Sequence, residues 1–453
     1  MKRSLAVAAC LCVVAAIPLC AGSQTEPLRV LVKTSVPLTP AVQEAIAKHA
    51  TRVTHTWPAI DALAVSVTEA QRAELELDPL VALVEADGVG EALPIVMDAA
   101  LAAASAPGAG PVESWNIDIT DVSGTGYDGT GVTVAVVDSG LPQNWSMFLP
   151  PGSVDTTHAA GFAAEGWGDF HARVHAIQGN GGYIGQFPHG LAVSSVIVGF
   201  PSPIGTIQGA APGARILPLG VLNQFNFGWF SWFTEAFLYL AELKASGAIP
   251  GPLVINFSIQ ASGSSEILTA AIDRAIAEGA IVVTIAGNFG PEDNSLSFPG
   301  TLPQVITVGA VEWIGAFSTP EWYIADVPED DASQAHVWEF SGRDFPFLGR
   351  LDIVAPGAAV LGEWLSGNGR SSAGYAEGRA RGFGGVDSFI FGTSFAAPHV
   401  VGIVAQMLEK DPTLDQAEVE AILRGSALAL PGWPEHAAGK GLARAAAALA
   451  ATP

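Results

Sequence analysis

Five apolar, β-branched runs limit what this chain can fold into: VTVAVVD (132–138), ARILPLGVL (214–222), PLVINFSI (252–259), AIVVTIAG (280–287) and QVITVGAV (304–311). Three helical segments, GLAVSSVIVG, TEAFLYLAELKA and EILTAAIDRAIAEG, stand between or beside them. A strand with no polar alternation has no face to give to water, so it needs cover on both sides. Alternation with helices supplies that cover, and the pattern predicts an α/β domain built on a parallel sheet with helices on both faces. In such a sheet the ligand crevice lies off the carboxyl ends of the strands, so the residues that end strands come first for inspection.

Residues 27 to 88 read differently. LRVLVKT is a strand, PAVQEAIAKHA a helix, two extended runs follow between Trp57 and Val67, TEAQRAELEL is a helix opened by Thr68, and VALVEAD closes as a strand. This βαββαβ order predicts a small α+β unit of ferredoxin-like kind. The stretch from 89 to 113, rich in Ala, Gly and Pro, reads as an exposed linker and a natural zone for proteolytic cutting. The larger unit then runs from 114 to 453.

The amino terminus is Met1-Lys2-Arg3 followed by SLAVAACLCVVAAIPLC, a basic start and an apolar run too short for a membrane span, ending in small residues near Ala21 and Gly22. It predicts a signal peptide over residues 1 to 22 and a secreted product, with a periplasmic or lipid-anchored one as the alternatives. Cys10 and Cys20 are the cysteines a lipid anchor would use, and Leu19 is bulky for that purpose. All three cysteines, Cys10, Cys12 and Cys20, fall in this segment, so a mature chain has no disulfide. A formal net charge of −24 repels nucleic-acid backbones and anionic lipid, which sets both aside as partners.

Four residues at element ends carry chemistry. Asp138 ends its strand, His189 opens a helix, Asn288 follows a strand, and Ser394 stands at the mouth of the helix in FGTSFAAPHVVG. Singly, each has a local reading: turn residue, satisfied surface histidine, turn former, helix cap. Jointly they are the parts for acyl transfer, namely a hydroxyl, an imidazole to take its proton, a carboxylate to hold the imidazole's tautomer, and an amide donor for the oxyanion. The first three come in the order Asp, His, Ser.

At these motifs the chain resembles the subtilisin-like serine proteases over most of residues 114 to 453. GVTVAVVDSG, HG with its helix, GAAPGARILPLGVL, VINFSI, AGN and GTSFAAPHVVG each match a family motif, and residues 27 to 88 resemble the family's inhibitory prodomain. The Asp-His-Ser order is a recorded property of that family. The resemblance implies a self-processed proenzyme that hydrolyses peptide bonds through an acyl-enzyme. It gives Ser394 as nucleophile, His189 as general base and acid, Asp138 as its orienting carboxylate, and Asn288 with the Ser394 N–H as oxyanion donors. Ser258, Ile259, Gln260 and Gly287 would line the substrate. Protein or peptide substrates and the chain's own prodomain are the implied partners, no cofactor is required for chemistry, and structural calcium is a family habit. The chain departs from the pattern at Leu191 and Ala192, where threonine and histidine are usual, at Phe395 and Ala397, where methionine and serine are usual, and at Gln260, where glycine is usual. An inactive relative kept for binding is the rival reading. A G-x-S-x-G esterase is excluded because residue 396 is Ala396.

Four further patterns have more local readings. NQFNFGWFSWF (223–233) could line apolar subsites, favouring large apolar residues upstream of the cut, or pack in the core. His171 and His175 with Asp169 have the spacing of a metal pair without an evident third ligand, and DVPEDD (326–331) has the oxygens for calcium. PTLDQAEVEAILRG places Thr413 and Gln416 in capping-box positions with Gly425 as the stop, a structural helix.

Overall fold

The computed structural model describes residues 27–92, 95–98, 111–142, 145–163, 189–202, 205–223, 225–319, 321–328, 331–363 and 387–453. The amino-terminal apolar run with its cysteines, and Asp169, His171 and His175, lie outside the described residues.

The five apolar runs become the strands Thr133–Asp138, Arg215–Gly220, Leu253–Phe257, Ala280–Ile285 and Ile306–Trp313. They pair in parallel, with Leu253–Phe257 between Thr133–Asp138 and Ala280–Ile285, and Arg215–Gly220 on the far side of Thr133–Asp138. Ile353–Pro356 adds another parallel strand beside Ile306–Trp313, and Ala335–Val337 pairs with it antiparallel.

Side chains alternate between two cores. Val134, Val136, Ile216, Val254, Ile281 and Val283 pack on the face covered by helices His189–Val198 and Thr393–Lys410. Ala135, Val137, Leu217, Leu219, Ile255 and Val282 pack on the face covered by Phe230–Ala245 and Glu266–Ala277. The period-2 pattern persists, but both sets are apolar because both faces are covered.

The amino-terminal unit has the expected order of elements. Its antiparallel sheet runs Arg52–Trp57, Ala62–Val67, Leu28–Thr34, Val81–Ala86. Thr68 caps the helix Glu69–Leu77 in a full capping box with Gln71, as its position predicts. One face of the sheet packs on its own helices through Val30, Val32, Ile46, Leu63 and Leu75. The other brings Leu31, Trp57, Ala62 and Ala64 into the core over helices Phe230–Ala245 and Glu266–Ala277.

Two expectations change. Residues 89–92 are not exposed linker: Val89–Glu91 is a strand paired antiparallel with Phe227–Trp229, and Ala92 is buried. Farther along, Pro111–Val112 pairs with Gly205–Ile207. A run of small residues reads as linker because it packs few side chains, yet small residues also suit a strand squeezed between two others. The helix Gln416–Ser426, near the carboxyl terminus, is capped by Asp415 and Glu418 rather than by Thr413 and Gln416, and it runs through Gly425. Thr413 instead closes a local turn on Asp411, its N–H and hydroxyl both donating to that carboxylate.

Candidate active site

Asp138 is fully buried at the end of its strand, and its carboxylate has three contacts among the described residues. The Ser139 N–H donates to Oδ1 at 2.6 Å, and His189 Nδ1 lies 2.9 Å from Oδ1 and 2.8 Å from Oδ2. A buried carboxylate unmet by donors would be costly, so this pairing answers the question the strand end raises. It also requires the proton on Nδ1, which leaves Nε2 as the imidazole's acceptor. His189 Nε2 is buried and without a hydrogen-bond partner among the described residues.

The helix His189–Val198 can bring its first residue to Asp138 because the next is glycine. A Cβ at Gly190 would lie 2.6 Å from the Gly140 carbonyl oxygen and 3.3 Å from Asp138 Oδ1. The Gly190 N–H, an orphan donor of the first turn, donates to Ser139 Oγ at 2.9 Å. Leu191 and Ala192 are fully buried in the core of this helix. Phe395 faces the imidazole, with ring centroids 5.4 Å apart, so its departure from the usual methionine is a packing change against His189 itself.

Ser394 is the second residue of the helix Thr393–Lys410 and is 2 % exposed. Its N–H belongs to the first turn, where no carbonyl precedes it in the helix. Pro398, four residues on, has no N–H to give to the Ser394 carbonyl. Ser258 Oγ takes that place, donating to Ser394 O at 3.0 Å, while Ser394 Oγ donates to Ser258 O at 3.3 Å. The proline in the serine motif therefore frees a carbonyl that ties the helix to the strand end at Ser258. His399 completes the anchoring. Its Nδ1 donates to Phe395 O at 2.7 Å, its Nε2 accepts from Asn116 Nδ2 at 2.9 Å, and burial pulls its pKa down to about 4.

Asn288 follows Gly287, whose φ of +87° and approach to Ser297, 2.4 Å from Oγ for any Cβ, require glycine. The Asn288 Oδ1 accepts from both the N–H and the hydroxyl of Thr393, at 2.9 and 2.8 Å. This fixes the amide and leaves its NH2 group, beside Gly392, free to donate toward the crevice. Thr393 stands inside the serine motif, but nothing local in GTS shows that it orients a residue 105 positions earlier.

The residues expected to line a substrate also lie close to Asn288 and Ser394. Ser258, Ile259 and Gln260 are buried just past the strand Leu253–Phe257. Gln260 Oε1 accepts from Asn288 N–H at 2.8 Å and its Nε2 donates to Glu91 Oε1 at 3.1 Å. Val89–Glu91 lies between Phe227–Trp229 and residue 260, as a middle strand. Of the two readings of the aromatic loop, core packing holds for Phe230, Trp232 and Phe233, which are at most 3 % exposed, whereas Phe225 is 55 % exposed.

A cavity of about 670 Å³ opens at the other end of the sheet, lined by Thr133, Asp155, His158 and Arg215, and holds none of the four residues. Among the described residues no three His, Cys, Asp or Glu side chains gather as a metal site. In 326–331, Asp331 Oδ1 accepts from the N–H and hydroxyl of Ser333, and Glu329 and Asp330 lie outside the described residues.

A subtilisin of Bacillus sp. (strain TA39) is 26% identical over 310 residues, 68% of this chain and 63% of its own length. Subtilisin E of Bacillus subtilis (strain 168) is 24% identical over 387 residues, 85% of this chain and 80% of its own. In fold, fervidolysin from Fervidobacterium pennivorans, described as a keratinolytic enzyme related to subtilisin, matches with a TM-score of 0.68 at 22% identity, covering 95% of this chain and 62% of its own. Sphericase matches with a TM-score of 0.56 at 22% identity, covering 73% and 97%. This chain thus spans less than two thirds of the TA39 subtilisin and of fervidolysin. The subtilase family model matches residues 129–445, a run that takes in Asp138, His189, Asn288 and Ser394, and the chain belongs to the subtilase family.

Proposed function

We propose that the protein is an exported serine endopeptidase made as a self-processed proenzyme. The observation that carries the reading is the buried His189–Asp138 pair, whose Nε2 has no partner among the described residues, with the imidazole facing Phe395, the residue after Ser394, and the Asn288 amide oriented by Thr393. In the reaction, Ser394 Oγ leaves the Ser258 carbonyl by rotation about its side-chain bond and gives its proton to His189 Nε2 as it attacks the peptide carbonyl. Asp138 stabilises the imidazolium through Nδ1–H. Asn288 Nδ2 and the Ser394 N–H donate to the oxyanion, and each such donor is worth about 10²–10³ in turnover. His189 then protonates the leaving amine, and water releases the acyl group.

Residues 27 to 88 act as the inhibitory prodomain. Support comes from Val89–Glu91 occupying the crevice as a strand, and from two carboxylates placed at helix starts. Asp87 accepts from Ser231 N–H and Oγ at 2.8 Å each, and Glu85 accepts from Ser265 Oγ and from the N–H groups of Glu266 and Ile267. Export rests on the basic and apolar amino terminus. Among the described residues no helix is long and apolar enough to cross a membrane. Maturation falls within residues 89 to 113.

The test is expression of residues 23 to 453 as wild type and as Ser394→Ala, followed by fluorophosphonate labelling, band size and casein digestion. Only wild type should label, shorten and digest casein. Labelling that persists in Ser394→Ala would remove Ser394 from the reaction.

A further inference from the structure

Gln260 stands where its carboxamide has one half already spoken for. Its Oε1 accepts the Asn288 N–H at 2.8 Å, so the half that faces the strand Val89–Glu91 is NH2, which has only hydrogens to offer. That half donates to the Glu91 carboxylate at 3.1 Å. The backbones of the two residues exchange both hydrogen bonds, Glu91 N–H to Gln260 O at 2.8 Å and Gln260 N–H to Glu91 O at 2.9 Å. They form a directly opposed antiparallel pair, the geometry in which side chains on one face meet.

The residue before Glu91 is constrained from the other side. A Cβ at Gly90 would lie 2.8 Å from Ile259 Cγ2 and 2.8 Å from Phe233 Cε2. Phe233 is buried, with its ring held against Phe230 and Phe257, so there is no space for it to yield into.

An extended peptide adding itself between Phe227–Trp229 and residue 260 would use the same main-chain groups that Val89–Glu91 uses here. We infer that Gln260 is a specificity-determining residue, selecting substrates in which glycine is followed by glutamate or glutamine at the residue paired with it. The inference rests on the endopeptidase reading above. A side chain that brings an acceptor is held by Nε2. One that brings only donors, such as lysine, meets the NH2 group hydrogen to hydrogen and is rejected, so the selection has both an attractive and a repulsive part. Glycine at the usual family position could not make this choice, because it has no side chain.

The test has two arms on the full chain. In the Ser394→Ala chain, where no bond is cut, amide hydrogen exchange at Glu91 and Gln260 reports how firmly the strand is held. Glu91→Gln should exchange like Glu91, Glu91→Ala about five- to tenfold faster, and Glu91→Ala should add nothing in a Gln260→Gly background. Equal exchange for glutamate and alanine overturns the inference without reference to activity. With Ser394 intact and the amino-terminal unit processed off, peptides carrying Glu, Gln, Ala or Lys at the paired position should fall in kcat/KM in that order. The spread from Glu to Ala should be about five- to tenfold and sit in KM, and Gly→Ala one position earlier should cost tenfold or more. Gln260→Gly slows all four, since Asn288 loses its brace, and removes the spread. A flat series from an enzyme whose Ser394 takes fluorophosphonate overturns the inference and leaves the protease reading standing. Failure of Ser394 to label strikes the protease reading, and the exchange arm still decides whether Gln260 recognises Glu91.

Discussion

Asn288 and Thr393 are fixed to one another through a single oxygen, the Asn288 Oδ1, which takes both the N–H and the hydroxyl hydrogen of Thr393. The amide cannot flip without setting NH2 against two donors, so its own hydrogens are held away from Thr393, free for the oxyanion role proposed above. Thr393→Val keeps the N–H bond and drops the hydroxyl. One such hydrogen bond is worth about 1 kcal/mol, so kcat should fall about five- to tenfold with KM nearly unchanged. Thr393→Ser should restore it. Steady-state kinetics on one peptide checks both, and a change confined to KM would contradict the orienting role.

Gly190 is a second point where little can change. Its added Cβ would press on the Gly140 carbonyl oxygen and come against the Asp138 carboxylate. Gly190→Ala should lose about 1–3 kcal/mol of stability, as an overpacked site does, and should lose activity at temperatures where it remains folded. Thermal unfolding beside an active-site titration separates the two effects.

His399 makes stability depend on acid. Its folded pKa, held down to about 4 by burial, lies below the ordinary value of 6.5, so the unfolded chain binds more protons between those two values. The stability that this neutral imidazole supports is therefore complete above about pH 6.5, falls as pH drops toward 4, and changes no further below that, a loss of about 3 kcal/mol across the window. Urea unfolding of the Ser394→Ala chain at a series of pH values should show that slope, and His399→Gln should flatten it.

Glu85 and Asp87 place carboxylates on the first turns of helices Glu266–Ala277 and Phe230–Ala245, where both N–H groups and helix dipole favour negative charge. Replacing either by alanine should loosen the amino-terminal unit and speed fluorophosphonate labelling of Ser394 in the full chain about tenfold. Arg29, which donates to Asp87 from Nε and Nη2, should show a smaller effect when changed to methionine. Unchanged labelling in both carboxylate variants would mean that the unit is held by its apolar face alone.

The sheet was legible because its strands are apolar on both faces, and Asp138, His189, Asn288 and Ser394 could be singled out as candidates because each stands at an element end inside a dense motif. What stayed hidden depends on distance along the chain. Gln260 is 169 residues from Glu91, and Thr393 is 105 from Asn288, so no local window contains either pair. Pro398 lies inside the serine-motif helix, but its consequence needs Ser258, 136 residues before Ser394. The cap of the Gln416–Ser426 helix was misplaced by two residues because Thr413 and Asp415 both precede it, and Thr413 is taken by Asp411.

The strand Val89–Glu91 belongs to the same covalent chain as the crevice that it fills. A tethered segment competes at a local concentration of about millimolar, whatever the protein's own dilution. In the proposed proenzyme a free peptide would have to exceed that level to enter, so inhibition by the uncut tether would not depend on how concentrated the protein is. Under the proposed processing, a cut in the tether would turn the same contacts into a bimolecular equilibrium, and dilution would shift it toward the open crevice.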